Sequence, residues 1–432
     1  MFYVKKMWDK FKSLFVRVRQ SKDGRVLGEN LFYITLMEIA RYIFPLITIP
    51  YLARVLGVVG VGKVAFAAAV MMWVNTIINW GFNSSAVRDL AQNRDDKVFV
   101  SKHFSVVLWS RMLLMVLTTV VLVILTFVIP KFRDIADLLM ASFIAIPANI
   151  IASTWFFRGM EKMKYNTILS VIAQAVFTIL VFVFVRDEDD YVLQPLLGSL
   201  GSVVCAVISV AIIKKEFDVK LHRPDFKQMF VQIKGSTDIF INELMPNFYN
   251  NFSALLLGFY GDAAANGIYD AGKKLCNIFN TIHGAAISTF FPYFSRKTHR
   301  HSQFAKINIV VSVFVSLLIF IFAPLLIHLF YGDKFMGAVL VARITAFALV
   351  GITLNYVYGT NYLIVIHREH LLRNITIVVS LIGFGVAFLL IPQLGVVGAA
   401  CTYTISSLLI GVVPMIVSLY IKKNEKNIEK CK

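Results

Sequence analysis

The chain has 432 residues, 58% hydrophobic and 16% charged, and its 43 Lys and Arg against 25 Asp and Glu give a net charge of +18. Ordinary globular domains are about 45–50% apolar and about 25% charged, so disorder, a disulfide scaffold and a typical cytosolic enzyme are excluded. The apolar residues fall in long blocks, which makes the chain a polytopic membrane protein; where the charges fall decides whether +18 means nucleic acid or membrane.

Residues 4–18 come first. Val4, Met7, Trp8, Phe11, Leu14, Phe15 and Val18 recur at helical spacing with Lys5, Lys6, Lys10, Lys12 and Arg17 between them. That pattern predicts a helix lying on anionic lipid rather than a cleavable signal peptide. A spanning helix needs about 20 mostly apolar residues, and its backbone must be paired internally. The blocks are too long and too little alternating for barrel strands. Twelve spans are expected, near 31–56, 62–82, 104–129, 135–157, 166–185, 191–213, 236–259, 267–293, 305–330, 337–365, 372–391 and 395–421.

Sorting Lys and Arg by side puts 32 of the 43 on the face that carries both termini, 6 on the opposite loops and 5 within spans. Such an imbalance makes that face cytoplasmic. The charge is therefore mostly topological and calls for no nucleic acid. The expected divisions are a basic amphipathic segment at 1–29, a six-helix lobe at 30–213, an inter-lobe linker at 214–235, a second lobe at 236–421 and a basic tail at 422–432. A short amphipathic helix is expected after Pro224.

The division into lobes rests on an internal repeat. Pro45 lies twelve residues before Gly57, and Pro246 twelve before Gly258; the next spans open at Gly62-Lys63-Val64 and Gly267-Ile268-Tyr269. A second echo links Asn166-Thr167-Ile168 to Asn374-Ile375-Thr376. Two parallel halves of this kind normally enclose a site near the midplane. Pro45, Pro50 and Pro246 each remove a helical hydrogen bond, so they are candidate hinges.

Ionisable residues deep in a span are functional candidates. Arg41 lies about 16 Å into its span at 1.5 Å per residue, with Glu38 one turn away; the two are a structural pair or an anion-binding arginine with its neighbour. On span eight, Asp270, Lys273, Lys274, Asn277, Thr281, Gly284 and Ser288 share one face. Asp270 can neutralise only one of the two lysines. Span seven contributes Asn242, which matches Arg41 in the repeat, and Glu243. Arg111 and Arg343 either join the cavity or reach the nearer interface. A cationic cavity in low dielectric selects an anion, and Arg and Lys together suit a phosphate. Cys205, Cys276, Cys401 and Cys431 have no metal-ligand spacing, and the histidines form no catalytic constellation, so no metal, cofactor or enzyme is expected.

The run Ile49-Pro50-Tyr51-Leu52-Ala53-Arg54-Val55-Leu56-Gly57, with Gly60-Val61-Gly62, Gly81-Phe82 and Ser85-Ala86-Val87-Arg88, resembles polysaccharide-unit flippases of Wzx type. Gly267-Ile268-Tyr269-Asp270-Ala271-Gly272-Lys273-Lys274-Leu275, Phe291-Pro292, Ile391-Pro392 and Leu394-Gly395-Val396-Val397-Gly398-Ala399-Ala400 extend the likeness to about residues 27–421. These proteins belong to the multidrug/oligosaccharidyl-lipid/polysaccharide exporter superfamily. The resemblance implies an all-α bundle with two six-helix lobes in a MATE-like V, set in the bacterial inner membrane with both termini cytoplasmic. It implies alternating access for an undecaprenyl-diphosphate-linked O-antigen or capsule unit, among membrane lipids, with a polymerase and other assembly proteins as possible neighbours. The substrate-binding candidates are then Arg41, Lys273, Lys274, Arg111, Arg343, Asn242 and Asn277. Glu38, Asp270 and Glu243 are the coupling candidates, with H+ or Na+ left open. The alternatives are a cation-coupled multidrug antiporter or a lipid II flippase of the same superfamily.

Overall fold

The structure, a computed structural model, describes residues 22–288 and 301–431; the expected surface helix at 4–18 and the Phe291-Pro292 motif lie outside them. The described residues are helical with no strand. In chain order the helices are α1 (Lys22–Asn79), α2 (Phe82–Gln92), α3 (Lys97–Val128), α4 (136–159), α5 (Met163–Phe184), α6 (Leu193–Phe217), α7 (Phe226–Gly235), α8 (Thr237–Asn250), α9 (Phe252–Tyr260), α10 (Ala263–Ser288), α11 (His301–Tyr331), α12 (338–364) and α13 (Glu369–Cys431). The expected basic tail continues α13 as helix.

Among the described residues, eight helices are long and apolar enough to cross a membrane. The twelve expected spans divide α1 and α13 in two and add α8–α9 and α10, whose polar residues lower their hydropathy. The divisions of α1 and α13 have a physical basis. Gly57 at φ 64° and Gly395 at φ 52° interrupt helices of 58 and 63 residues. Only glycine takes that left-handed region without a Cβ penalty. The helix runs on through Pro45 and Pro50, so in this conformation the break lies at Gly57 and not at the expected proline hinges. Pro246 likewise lies inside α8, and the interruption comes at Asn251, five residues later.

Burial runs opposite to that of a water-soluble bundle. On α3, Val107, Ser110, Arg111, Leu114, Thr118 and Leu122 face inward, while Val116, Leu117, Val120, Val121, Ile124 and Phe127 are exposed. An apolar surface of that extent fits lipid. In the first half, α5 packs on α1 and α6, and α6 on α4; in the second, α8, α9 and α12 pack on α13, and α12 on α10 and α11. Small residues bring the second-half helices close: Ala271, Ala338, Ala342 and Ala346 are fully buried.

The halves meet chiefly along α1 and α10. Gly258 takes the ring of Phe66 from the first half, and Gly62 and Gly267 bring the two backbones together. Lys334 pairs with Glu188 at 2.6 Å at the same end. The other end is closed by different contacts. Trp80 stacks on Phe240 with centroids 3.9 Å apart and planes 5° from parallel. Its Nε1 donates to the Ile233 carbonyl at 3.1 Å, and Ser85 and Ser236 hydrogen-bond at 2.8 Å. The linker is strapped to α3, where Lys220 and His222 donate backbone N–H to the hydroxyls of Ser101 and Ser105. Its helix, α7, starts just past Pro224, capped by Asp225 accepting from the Gln228 N–H at 3.1 Å.

Candidate functional site

The polar face of α10 comes inside because α10 is the second-half helix that packs against α1 where the halves meet. Asp270, Lys273, Lys274 and Asn277 turn toward Ala65, Ala68, Ala69 and Met72 of α1 and line a cleft between the halves of about 190 Å³. The alanines matter here, since larger side chains would fill the space over the charges. A second cavity, of about 330 Å³, lies within the second half, bounded by α8, α10, α12 and α13. Asn251, Lys273 and Asn277 belong to both walls, so Lys273 stands where the two spaces adjoin.

The two lysines are held differently. Lys274 pairs with Asp270 at 2.7 Å, one turn back along α10. Lys273 makes no ion pair among the described residues. Its ammonium donates to the backbone carbonyl of Asn250 and sits 4.5 Å above the ring centroid of Tyr403. The carbonyl is uncovered where α8 gives way to α9, because the helical ladder is interrupted there. Tyr403 is fixed in turn by its hydroxyl, which donates to Asn277 Oδ1 at 3.3 Å. A carbonyl dipole and an aromatic face hold the ammonium at the junction without a carboxylate in contact with it among the described residues.

The other expected residues lie apart from these two spaces. Arg41 pairs with Glu38 at 3.1 Å, and its side chain is 58% exposed; it lines neither cavity. Arg111 is buried in the first half and donates to Asn79 Oδ1 at 2.7 Å. Arg343 lies over Phe320 of α11 and donates to its carbonyl at 3.2 Å. Asn242 is exposed near the start of α8, and Glu243 accepts from the Ser84 hydroxyl at 3.0 Å across the halves. The structure thus brings together Lys273, Lys274, Asp270 and Asn277 of the expected set. It adds Tyr403, Tyr356, Asn280 and Asn355, which the sequence reading passed over. Asn280 carried a signal, three residues beyond Asn277 on the polar face; the tyrosines carried none, since aromatic residues are ordinary in spans.

Residues 27–298 match the family described as "Polysaccharide biosynthesis protein". The chain belongs to that family. It is 24% identical over 385 residues to the "Putative O-antigen transporter" of Escherichia coli strain K12, covering 87% of this chain and 92% of the relative. The protein of the same description from Shigella dysenteriae is 26% identical over 249 residues, 58% of this chain and 62% of the relative. Among solved structures, the lipid II flippase MurJ in an inward closed conformation superimposes with a TM-score of 0.70 at 14% identity, over 90% of this chain and 87% of that one. A eukaryotic MATE transporter does so with a TM-score of 0.57 at 12% identity, over 94% and 96%. These likenesses show the fold of the exporter superfamily, and family membership bears out the resemblance to Wzx-type proteins.

Proposed function

We propose that the protein is a flippase that carries undecaprenyl-diphosphate-linked oligosaccharide units from the cytoplasmic to the outer leaflet of the bacterial inner membrane. The observation that carries this reading is Lys273: a lysine with no ion pair among the described residues, at the junction of two cavities inside a membrane bundle. A diphosphate is the anion such a charge suits, with Lys274 beside it as a second point charge. The head group occupies the cleft while the polyprenyl tail stays in lipid. Relatives described as O-antigen transporters support this choice of substrate, and the likeness to a lipid II flippase supports the shared fold.

The 30–213 and 236–421 lobes rock about the linker, with both termini and the Lys/Arg-rich loops on the cytoplasmic side. The Gly62–Gly267 contact then closes the outer end and the Trp80–Phe240 stack the inner one. Gly57, Pro45, Pro50 and Pro246 are where α1 and α8 bend between states. Arg41, Arg111, Arg343 and Asn242 meet the substrate only if opening carries them into its path. Glu38, Asp270 and Glu243 are the groups at which H+ or Na+ would couple. Two states are shifted only by differential affinity, so the substrate must bind the two openings unequally.

The test is complementation of a deletion strain, with surface polysaccharide and protein level both measured. The double variant Lys273→Ala/Lys274→Ala is expected to abolish the polymer at normal protein level. Wild-type output from it would overturn the cationic site.

A further inference from the structure

The cavity within the second half has a composition that the diphosphate reading does not use. Its wall carries Asn250, Asn277, Asn280 and Asn355 with Tyr356 and Tyr403, and among the described residues no carboxylate lines it. Lys273 stands at one end, where the cavity adjoins the cleft. Amide side chains both donate and accept hydrogen bonds and carry no charge, which suits hydroxyl and acetamido groups. Tyrosine rings offer a negative face to weakly positive C–H groups. A volume of about 330 Å³ is near the lower bound, about 300 Å³, for small-molecule pockets. It admits a sugar residue and not a whole oligosaccharide.

Two wall residues have spare hydrogen-bonding capacity. Asn280 makes no side-chain hydrogen bond among the described residues, and Asn355 Oδ1 has no donor, although it is closed off beside Gly359 and must rotate to meet a ligand in the cavity. Asn355 opens a π-helical stretch, Asn355–Ile364, a rare geometry found often at functional sites. Gly359 leaves room for it, since a Cβ there would come 2.5 Å from Asn355 Oδ1.

Resting on the flippase reading, we propose that this cavity is the subsite for the sugar joined directly to the diphosphate, with Asn280, Asn355 and Tyr356 as its specificity-determining residues. The diphosphate stands at Lys273 in the cleft, and the first sugar enters past it into the second half. The rest of the oligosaccharide extends along the cleft. A carboxylate-free wall with a cation at its mouth repels cationic drugs, so the same surface disfavours a multidrug role.

The test compares two ligands on the purified full-length protein in lipid nanodiscs: bare undecaprenyl diphosphate, and the lipid-linked repeat unit extracted from the strain that makes it. The wild type is expected to bind the glycosylated lipid about tenfold more tightly. Asn280→Ala/Asn355→Ala is expected to remove that advantage and leave affinity for bare undecaprenyl diphosphate within about twofold, which also certifies the variant's fold. If the double variant does not fold, Asn280→Ala alone carries the test, with the advantage reduced at least threefold. Equal affinity of the wild type for the two ligands overturns the subsite alone. So does a loss that is the same for both ligands, or no loss. Binding of neither ligand by the wild type overturns the flippase reading and the subsite with it.

Discussion

Gly62 and Gly267 face each other across the boundary between the halves, each occupying the place of the other's missing side chain. A Cβ on Gly62 would stand 2.8 Å from the Gly267 nitrogen, and one on Gly267 would stand 3.2 Å from the Gly62 nitrogen. Each would also meet a backbone carbonyl, of Ala263 and Val58 respectively. The approach is nearly symmetrical. It is a backbone seam that any side chain would wedge open.

Gly62→Leu is therefore expected to part α1 from α10, since forcing a side chain into a filled space costs about 1–3 kcal/mol. With cysteines at Val58 and Ala263, cross-linking should be efficient in the parent and at least several-fold weaker once Gly62→Leu is added. Undiminished cross-linking would show that the seam is not what holds this end.

At the other end, Trp80 takes φ 41°, a left-handed conformation that costs a non-glycine residue about 1–2 kcal/mol. Its stack on Phe240 offsets this, such pairs being worth about 0.5–1.5 kcal/mol beyond burial. Melting temperatures of Trp80→Leu, Phe240→Leu and the double variant should give a coupling in that range. Additive losses would mean that the rings do not hold the end shut.

Gly57 and Gly385 make a matched pair of tests. Gly57 has φ 64° and the Glu188 carboxylate 3.3 Å from where a Cβ would stand, so Gly57→Ala should destabilise by about 1–2 kcal/mol. Gly385 lies in regular helix with open space around it, so Gly385→Ala should be neutral or stabilise by up to about 1 kcal/mol. Thermal melting of the two variants checks both signs, and a destabilised Gly385→Ala would contradict the argument.

Arg111 and Asn79 should be unequal when each is removed. Asn79→Leu strips a buried guanidinium of its side-chain acceptor among the described residues, a hydrogen bond to a charged group worth about 1.5–3 kcal/mol, and leaves the charge in place. Arg111→Met removes the charge itself and should cost less, as replacing buried ionic groups by apolar ones often does. Equal losses of melting temperature would indicate that Arg111 is neutralised by something else.

Lys274 and Asp270 give a similar contrast at the site. Lys274→Met leaves Asp270 unpaired in the cleft and should lower surface polysaccharide by about tenfold or more. Adding Asp270→Asn should recover part of that output if the pair is a local charge balance. No recovery would point to Lys274 itself as a substrate contact.

Helix content and membrane class followed from hydropathy, because it acts locally along the chain and lipid enforces it. The polar face of α10 was legible too, because a 3.6-residue period is a property of one helix. What the sequence by itself could not determine was which lysine Asp270 neutralises, since Lys273 and Lys274 lie three and four residues away and both are within reach. Only tertiary packing decided that: Tyr403 and the interrupted backbone at Asn250 claim Lys273 and leave Lys274 for Asp270. In the same way Arg41, equal to the lysines as a charge in a span, stands exposed with Glu38, while Arg111 is buried against Asn79. A charge's depth can be counted along its helix, but its partners belong to other helices, and those are set only when the bundle is assembled.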